Sequence, residues 1–84
     1  MKVLVIHEVD LKCREQIVIG VADSTKNANK IINKYYGKHE ATSWEQIGES
    51  NLEYIKTIEI KDWNTIGETY KYEIWLEWFE LNKI

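Results

Sequence analysis

The sequence predicts an α+β fold, with a mainly antiparallel sheet of four or five strands in the order ββαββ and one helix packed on one face. Residues 2–9 and 15–22 are rich in Val and Ile and flank a short polar link. Residues 24–36 carry apolar side chains at helical spacing, whereas residues 52–61 and 69–81 alternate as strands do. Together these segments predict a hairpin, a helix and two further strands.

The first two predicted strands form an antiparallel hairpin, because only residues 10–14 connect them. Strict alternation along the second strand places Ile17, Ile19 and Val21 on one face and Val18, Gly20 and Ala22 on the other. A glycine inside a strand indicates either a bulge or a close approach of the helix.

The helix is predicted over residues 24–36. It begins at Asp23-Ser24-Thr25, where a side-chain oxygen can accept hydrogen bonds from the first free N–H groups. Gly37 follows the last helical residue and suits a left-handed C-cap. The apolar side of the helix consists of Ala28, Ile31, Ile32 and Tyr35.

The middle of the chain is less regular. Residues 44–47 predict either a short strand or a loop anchored by Trp44. Residues 52–61 alternate as a strand, with Lys56 as the exception on the apolar face. The pattern Trp-x-x-Ile-Gly-Glu-Ser/Thr begins at Trp44 and again at Trp63, which indicates either a repeated turn or a chance match.

The segment 69–81 holds five of the ten aromatic residues of the chain. One face of this predicted strand carries Tyr70, Tyr72, Ile74, Leu76 and Trp78. The other face carries Trp75, Phe79 and Leu81 among Lys71, Glu73 and Glu77. A strand in a small sheet has one core to face, so apolar side chains on both faces require a second covering surface. That surface can be a helix of this chain, another copy of the chain, or a different protein.

We predict that part of this last strand binds a partner. The predicted partner-binding residues are Trp75, Phe79, Glu73, Glu77 and Leu81. Large aromatic rings anchor protein interfaces, and carboxylates around them suit a polar rim. The alternative is that the helix covers one face and the loops carrying Trp44 and Trp63 cover the other.

Lysines recur every fourth residue along the helix, at Lys26, Lys30, Lys34 and Lys38, with no acidic residue between positions 24 and 38. Of these, Lys26, Lys30 and Lys34 are candidates for binding a phosphate-like anion; the alternative is a solvated helix face. Nucleic acid is not the expected partner, because the chain has a single Arg and a net charge of −3.

The chemistry-bearing side chains form no catalytic pattern. Cys13 lies between Lys12 and Arg14, which favour its thiolate, but no base or oxyanion site accompanies it in the sequence. His7 and His39 do not stand at metal-ligand spacing. We therefore predict no catalytic residues, no metal site and no cofactor, and expect that the protein is not an enzyme.

Composition limits the class of protein further. The 84 residues leave room for one core, so we expect a single domain over residues 1–84. A lone cysteine excludes an internal disulfide, and no apolar run has the ~20 residues needed to span a bilayer. The expected location is the cytoplasm. Abundant Ile, Lys and Asn indicate AT-rich codons, as in a low-GC bacterium, its phages or its mobile elements.

Three parts of the chain resemble a family of small uncharacterised domains of low-GC bacteria and their phages. These are the run Lys2-Val3-Leu4-Val5-Ile6-His7-Glu8, the segment Ile19-Gly20-Val21-Ala22-Asp23-Ser24 leading into Ala28, Ile31 and Tyr35, and the final Trp78-Phe79-Glu80-Leu81-Asn82. The resemblance implies a hairpin followed by a helix and further strands. It implies no activity, because that family has none assigned.

The sequence therefore predicts a small non-enzymatic interaction protein, encoded by a phage or mobile element, that binds a host protein or defence complex and can inhibit it. A homo-oligomer is a further expected use of the last strand. The alternative function is an oligomeric ligand-binding protein for a nucleotide-like anion.

Overall fold

The computed structural model describes residues 2–49, 51–61 and 69–80 of the chain. The strands are β1 (Lys2–Asp10), β2 (Gln16–Ala22), β3 (Glu40–Ala41), β4 (Glu45–Glu49), β5 (Leu52–Lys61) and β6 (Thr69–Glu80), and the helix is α1 (Thr25–Tyr36). The α+β class and the single helix over the described residues agree with the prediction. The predicted count of four or five strands and the order ββαββ are not confirmed, because β3 and β4 add two short strands before β5.

The described strands form one sheet, in the spatial order β2-β1-β6-β5-β3, with β4 also paired to β5. Every pairing is antiparallel. The aromatic strand β6 is central: Trp75 lies opposite His7 of β1 on one side and Ile55 of β5 on the other. The last strand therefore needs no partner along its backbone edges, and only its two faces remain to be covered.

Helix α1 lies on one side of this sheet, hereafter the helix face. The buried residues there form one core, comprising Leu4, Ile6, Ala22, Ala28, Ile32, Ile58, Ile74 and Leu76. Tyr72, Trp78 and Tyr54 pack against this core from the two central strands. The prediction that Tyr72, Ile74, Leu76 and Trp78 share the core-facing side of the last strand is thus correct. The opposite side of the sheet is hereafter the open face.

The helix begins and ends at the residues that its sequence predicts, but Gly37 has ψ −132° and so does not adopt the predicted left-handed helical conformation. The Ser24 hydroxyl accepts a hydrogen bond from the backbone N–H of Asn27 at 3.2 Å. Gly37 has φ +68° and donates its N–H to the Asn33 carbonyl at 2.9 Å. Both contacts satisfy backbone groups that the helix ends leave without an intrahelical partner. None of the helical structure in the described ranges is long and apolar enough to cross a membrane.

The second strand differs from strict alternation. Ile6 pairs with Gly20 and His7 pairs with Val18, so Ile19 is an extra residue between two consecutive pairs. This bulge moves Val18 to the same face as Val21 and moves Ile17 to the face of Gly20 and Ala22. The predicted faces of Ile17 and Val18 are therefore wrong, whereas Val21 lies opposite the face of Gly20 and Ala22 as predicted. Both explanations offered for Gly20 apply, because a β-carbon on Gly20 would also lie 3.0 Å from Cγ2 of Ile31.

Tyr35 was expected on the apolar side of the helix but is exposed, and Tyr36 packs on the core instead. The Tyr36 hydroxyl donates a hydrogen bond to Glu8 of β1, and its ring lies 5.7 Å from that of Tyr72. Burial, followed by the hydrogen bond to Glu8, raises the pKa of Tyr36 far above its usual range. This contact fastens the end of α1 to the sheet.

Lys56, the exception in the alternation of its strand, points toward the helix and is buried. Its Nζ atom donates to Oδ1 of Asn29 at 2.8 Å, and the same oxygen accepts a hydrogen bond from Nε1 of Trp44 at 3.0 Å. Nζ also lies 4.2 Å from the centroid of the Trp44 ring, within cation–π range. Burial lowers the pKa of Lys56. Trp44 thus anchors the start of β4 to the core.

Candidate functional site

The candidate site is the open face, which is built mainly from β1 and β6. Its central cross-strand pairs are Val3 with Phe79, Val5 with Glu77, His7 with Trp75 and Val9 with Glu73. Cross-strand partners in an antiparallel sheet share a face, so these β1 side chains lie beside the β6 side chains opposite them. Along β6, aromatic and acidic side chains alternate on this face. The predicted residues Glu73, Trp75, Glu77 and Phe79 therefore lie on one surface. Leu81, the fifth predicted residue, lies outside the described residues.

Large apolar side chains on this face are about half exposed. The exposed fraction is 54% for Phe79, 57% for Val18 and 49% for Val21. They surround a shallow depression of about 370 Å³, lined by Val3, Val5, His7, Val18, Val21, Glu77 and Phe79. The lining is almost wholly apolar apart from His7 and Glu77. No helix of the described ranges covers this side of the sheet, so the apolar depression is a surface suited to contact with another molecule. The loop that carries Trp63, the alternative covering segment, lies outside the described residues.

His7 and Glu77 form a hydrogen-bonded polar pair in the lining of the depression. Nε2 of His7 lies 3.2 Å from Oε1 of Glu77, and Nδ1 of His7 lies 3.3 Å from Nε2 of Gln16. With the Gln16 amide donating to Nδ1, the imidazole donates from Nε2 to the carboxylate. Glu77 is therefore oriented before any partner arrives, which lowers the entropy lost on binding.

Trp75 is held in a similar way. Its indole Nε1 donates to Oε1 of Glu73 at 3.0 Å, and both side chains are half-buried. This contact orders the indole ring on the sheet. Phe79, by contrast, is the most exposed of the described residues that were predicted to bind a partner. Its ring is the largest of the half-exposed apolar side chains on this face.

Charges divide unevenly between the two sides of the molecule. The open face carries the carboxylates Glu40, Glu45, Glu59, Glu73 and Glu77 and the cations Lys61 and Lys71, as the strand registers show. On the other side, α1 carries Lys26, Lys30 and Lys34, all exposed, and has no acidic residue in its first turn. The open face is therefore acidic and the outer surface of the helix is basic.

The predicted anion-binding lysines remain a row along the outer surface of the helix. The depressions found among the described residues are lined by other side chains, and none includes Lys26, Lys30 or Lys34. A nucleotide-sized ligand is usually held in a concave site. Their role in anion binding stays a prediction.

The residues with catalytic potential are dispersed. Cys13 is exposed in the β1–β2 turn, where Oδ1 of Asp10 accepts the backbone N–H of Lys12 at 2.9 Å. That bond lowers the pKa of Asp10. His39 donates from Nδ1 to the Gly37 carbonyl at 2.7 Å, at the end of the helix. Over the ranges that the structure describes, no three His, Cys, Asp or Glu side chains converge as metal ligands would.

Sequence reasoning missed Val18 and Val21 as members of the candidate site. Their membership depends on the bulge at Ile19, which strict alternation ignores. The one available signal was Gly20, a residue typical of a bulge, but a glycine does not specify which neighbour becomes the extra residue. No role was predicted for His7, which hydrogen-bonds to Glu77 in the lining of the depression.

Comparisons with known proteins give no match: no family model, no curated protein and no solved structure matches the chain. The resemblance described from the sequence therefore stays a prediction.

Proposed function

We propose that this chain is a non-enzymatic interaction domain that binds a partner protein through its open face. The observation that carries the proposal is the half-exposed set of Phe79, Val18 and Val21 around one apolar depression, on the side of the sheet opposite the helix. Full burial of a Val or Phe side chain contributes about 1.5–3 kcal/mol. Because Phe79, Val18 and Val21 lie around one depression, a single partner can bury all three, and their contributions to the binding free energy combine.

The partner's chemistry follows from the charges around the depression. Glu73 and Glu77 lie on the same strand as Phe79, so basic side chains of a partner would meet carboxylates while its apolar side chains meet the ring. An α-helix with an apolar stripe flanked by Lys or Arg has this arrangement. Such a helix would cover the open face as α1 covers the other, giving a three-layer packing. We therefore assign the open face to a basic amphipathic helix of a partner protein.

Binding of this kind inhibits the partner protein when the bound helix is part of that protein's functional surface. Stoichiometric occlusion needs apolar area and complementary charge, both of which the open face offers, and needs no catalytic group. The composition bias toward Ile, Lys and Asn is compatible with a low-GC bacterium, its phages or its mobile elements, and we propose a phage or mobile element as the source. We propose that the partner is a host protein and that its occlusion is the biological effect.

A synthetic amphipathic helix tests this proposal with a defined probe. The peptide has about five turns, with Leu on one side and Lys on the flanks. Isothermal titration is expected to show saturable binding to the wild type and at least ~10-fold weaker binding to Phe79→Ser, since one buried ring supplies about 1.4 kcal/mol or more. Lys30→Gln, on the opposite side of the molecule, is expected to bind as the wild type does.

Charge is tested separately from apolar contact. Glu77→Gln is expected to weaken binding and to reduce its dependence on salt, because a screened charge pair is lost. Equal affinity of wild type and Phe79→Ser would contradict the proposal. Weaker binding of Lys30→Gln alone would assign the interaction to the helix side instead.

A further inference from the structure

The two edges of the sheet are built differently. At one edge, β5 is covered by two short strands, β3 of two residues and β4 of five. The other edge is β2, whose seven residues pair with β1 on one side. An edge strand presents backbone N–H and C=O groups that can pair with another chain, and proteins limit this with charges, proline, β-bulges or very short strands.

The edge made by β3 and β4 has several of these protections. Glu40 of β3 lies opposite Glu59, and β4 begins at Glu45. The register between β4 and β5 also shifts between Gln46 and Glu49. A strand approaching this edge would meet carboxylates on short and irregular segments.

The β2 edge lacks charge altogether. Its sequence, Gln-Ile-Val-Ile-Gly-Val-Ala, contains no Lys, Arg, Asp, Glu or Pro. Ile17 is 46% exposed on the helix face, and Val18 and Val21 are exposed on the open face. The bulge at Ile19 is its one irregularity. Apolar side chains thus project on both faces of an edge strand whose composition favours strand pairing.

We propose that β2 pairs antiparallel with β2 of a second copy of this chain, about a two-fold axis. Self-pairing places uncharged side chains opposite uncharged side chains, so the like-charge repulsion that Glu40 and Glu59 would cause at the other edge is absent. The contact is isologous, because each copy gives and receives the same strand. With one uncharged edge in each described sheet, association is expected to stop at the dimer and not to continue into a fibre.

The dimer would join the two open faces. Val18 and Val21 lie on the outermost strand of each open face, so the apolar depressions of both copies would adjoin across the two-fold axis. A partner that binds the open face would then contact an apolar surface about twice as wide as that of one copy. This inference rests on the edge strand and does not depend on the proposed partner binding.

The interface is small, because it consists of one seven-residue strand from each copy and the side chains beside it. Interfaces of this kind lie at the low end of the size range for specific complexes. We therefore expect a dimer that dissociates on dilution.

Sedimentation velocity over a range from low to high micromolar concentration tests the proposal. The wild type is expected to move from the chain mass of 10.0 kDa toward twice that value as its concentration rises. Ile17→Lys introduces a charge at the edge on the helix face and is expected to stay at the monomer mass throughout. Ile17→Thr keeps a strand-forming, uncharged side chain and is expected to dimerise with at most a few-fold loss of affinity.

Phe79→Ser separates this proposal from the proposed function, because Phe79 lies on β6, away from the edge. It is expected to dimerise as the wild type does. A wild type that stays at 10.0 kDa at the highest concentration would overturn the proposal, and so would an Ile17→Lys variant that dimerises normally. Loss of the dimer in Phe79→Ser would assign self-association to the open face instead. Circular dichroism of each variant establishes that it is folded.

Discussion

Val18 and Val21 are three residues apart in sequence, yet both side chains lie on the open face of the sheet. The extra residue between them, Ile19, changes which residues of β2 face the helix. Without this bulge, alternation would turn one valine toward the core. The apolar surface that we assign to a partner therefore extends across three strands, from β6 through β1 to β2.

The two faces of β6 are expected to respond differently to substitution. Leu76→Ala removes a fully buried side chain from the helix face and should lower the free energy of unfolding by about 2–5 kcal/mol. Phe79→Ser, three residues further along and on the open face, should lower it by less than about 1 kcal/mol, since the ring is 54% exposed. Urea denaturation measures both. Equal losses would mean that Phe79 belongs to the core.

Gly20 is expected to be required for the approach of the helix. In Gly20→Ala the new β-carbon would lie 3.0 Å from Cγ2 of Ile31, and relieving this contact should cost about 1–3 kcal/mol of stability. Ile31→Ala removes the opposing carbon, so the double variant should be more stable than the sum of the single effects predicts. A double-mutant cycle by urea denaturation measures the coupling. Strict additivity would show that the helix does not pack on Gly20.

Lys56 is expected to make stability depend on pH below 10.5, the usual lysine pKa. Burial lowers the pKa of Lys56 in the folded chain. Between this lowered pKa and 10.5, the amine is neutral in the folded chain and still protonated in the unfolded chain, so the unfolded chain binds more protons than the folded chain does. The free energy of unfolding of the wild type should therefore rise relative to that of Lys56→Met between the lowered pKa and 10.5. Urea titrations at several pH values measure this difference. A constant difference would show that the amine is not desolvated.

Tyr36 is expected to give the opposite dependence at higher pH. Its pKa is raised by burial and by the hydrogen bond to Glu8, so its contribution is complete below the usual tyrosine pKa of 10.0 and declines as the pH rises above that value. Tyr36→Phe should lower the free energy of unfolding by about 1–2 kcal/mol at neutral pH and make the alkaline decline shallower. Part of the alkaline decline in the free energy of unfolding should remain in Tyr36→Phe, because the pKa of Tyr72 is also raised by burial.

Tyr35→Phe is the matched control for this prediction, because the neighbouring ring is exposed. It should change neither the stability at neutral pH nor the alkaline slope appreciably. If Tyr35→Phe and Tyr36→Phe behaved alike, the contact between Tyr36 and Glu8 would not fasten the helix to the sheet.

Local signals predicted the helix well. Its ends depend on groups close in sequence, such as the Ser24 hydroxyl with the Asn27 N–H and Gly37 at positive φ. The core-facing side of β6 was likewise predictable, because alternation from Tyr72 to Trp78 is uninterrupted. In both cases short-range periodicity determines which residues face the core.

The remainder depends on pairing between distant segments, which periodicity does not encode. That β6 lies between β1 and β5 is a property of the whole sheet. Lys56 appeared to break an apolar pattern, and only the position of Asn29 and Trp44 explains why a lysine is accommodated there. Helical spacing after Ala28 and Ile32 allows either Tyr35 or Tyr36 to face the core, and the hydrogen bond of Tyr36 to Glu8, 28 positions away in the chain, is a property of the whole fold.

The most direct test of the central claim is a methyl NMR titration of the protein with the Leu and Lys amphipathic helix. Binding to the open face should shift the methyl signals of Val18 and Val21 progressively with added peptide. The methyl signals of Ile32 and Ile58, buried on the helix face, should change little. Unchanged valine signals at saturating peptide, or shifts confined to the helix side, would contradict the assignment of the open face as the partner-binding surface.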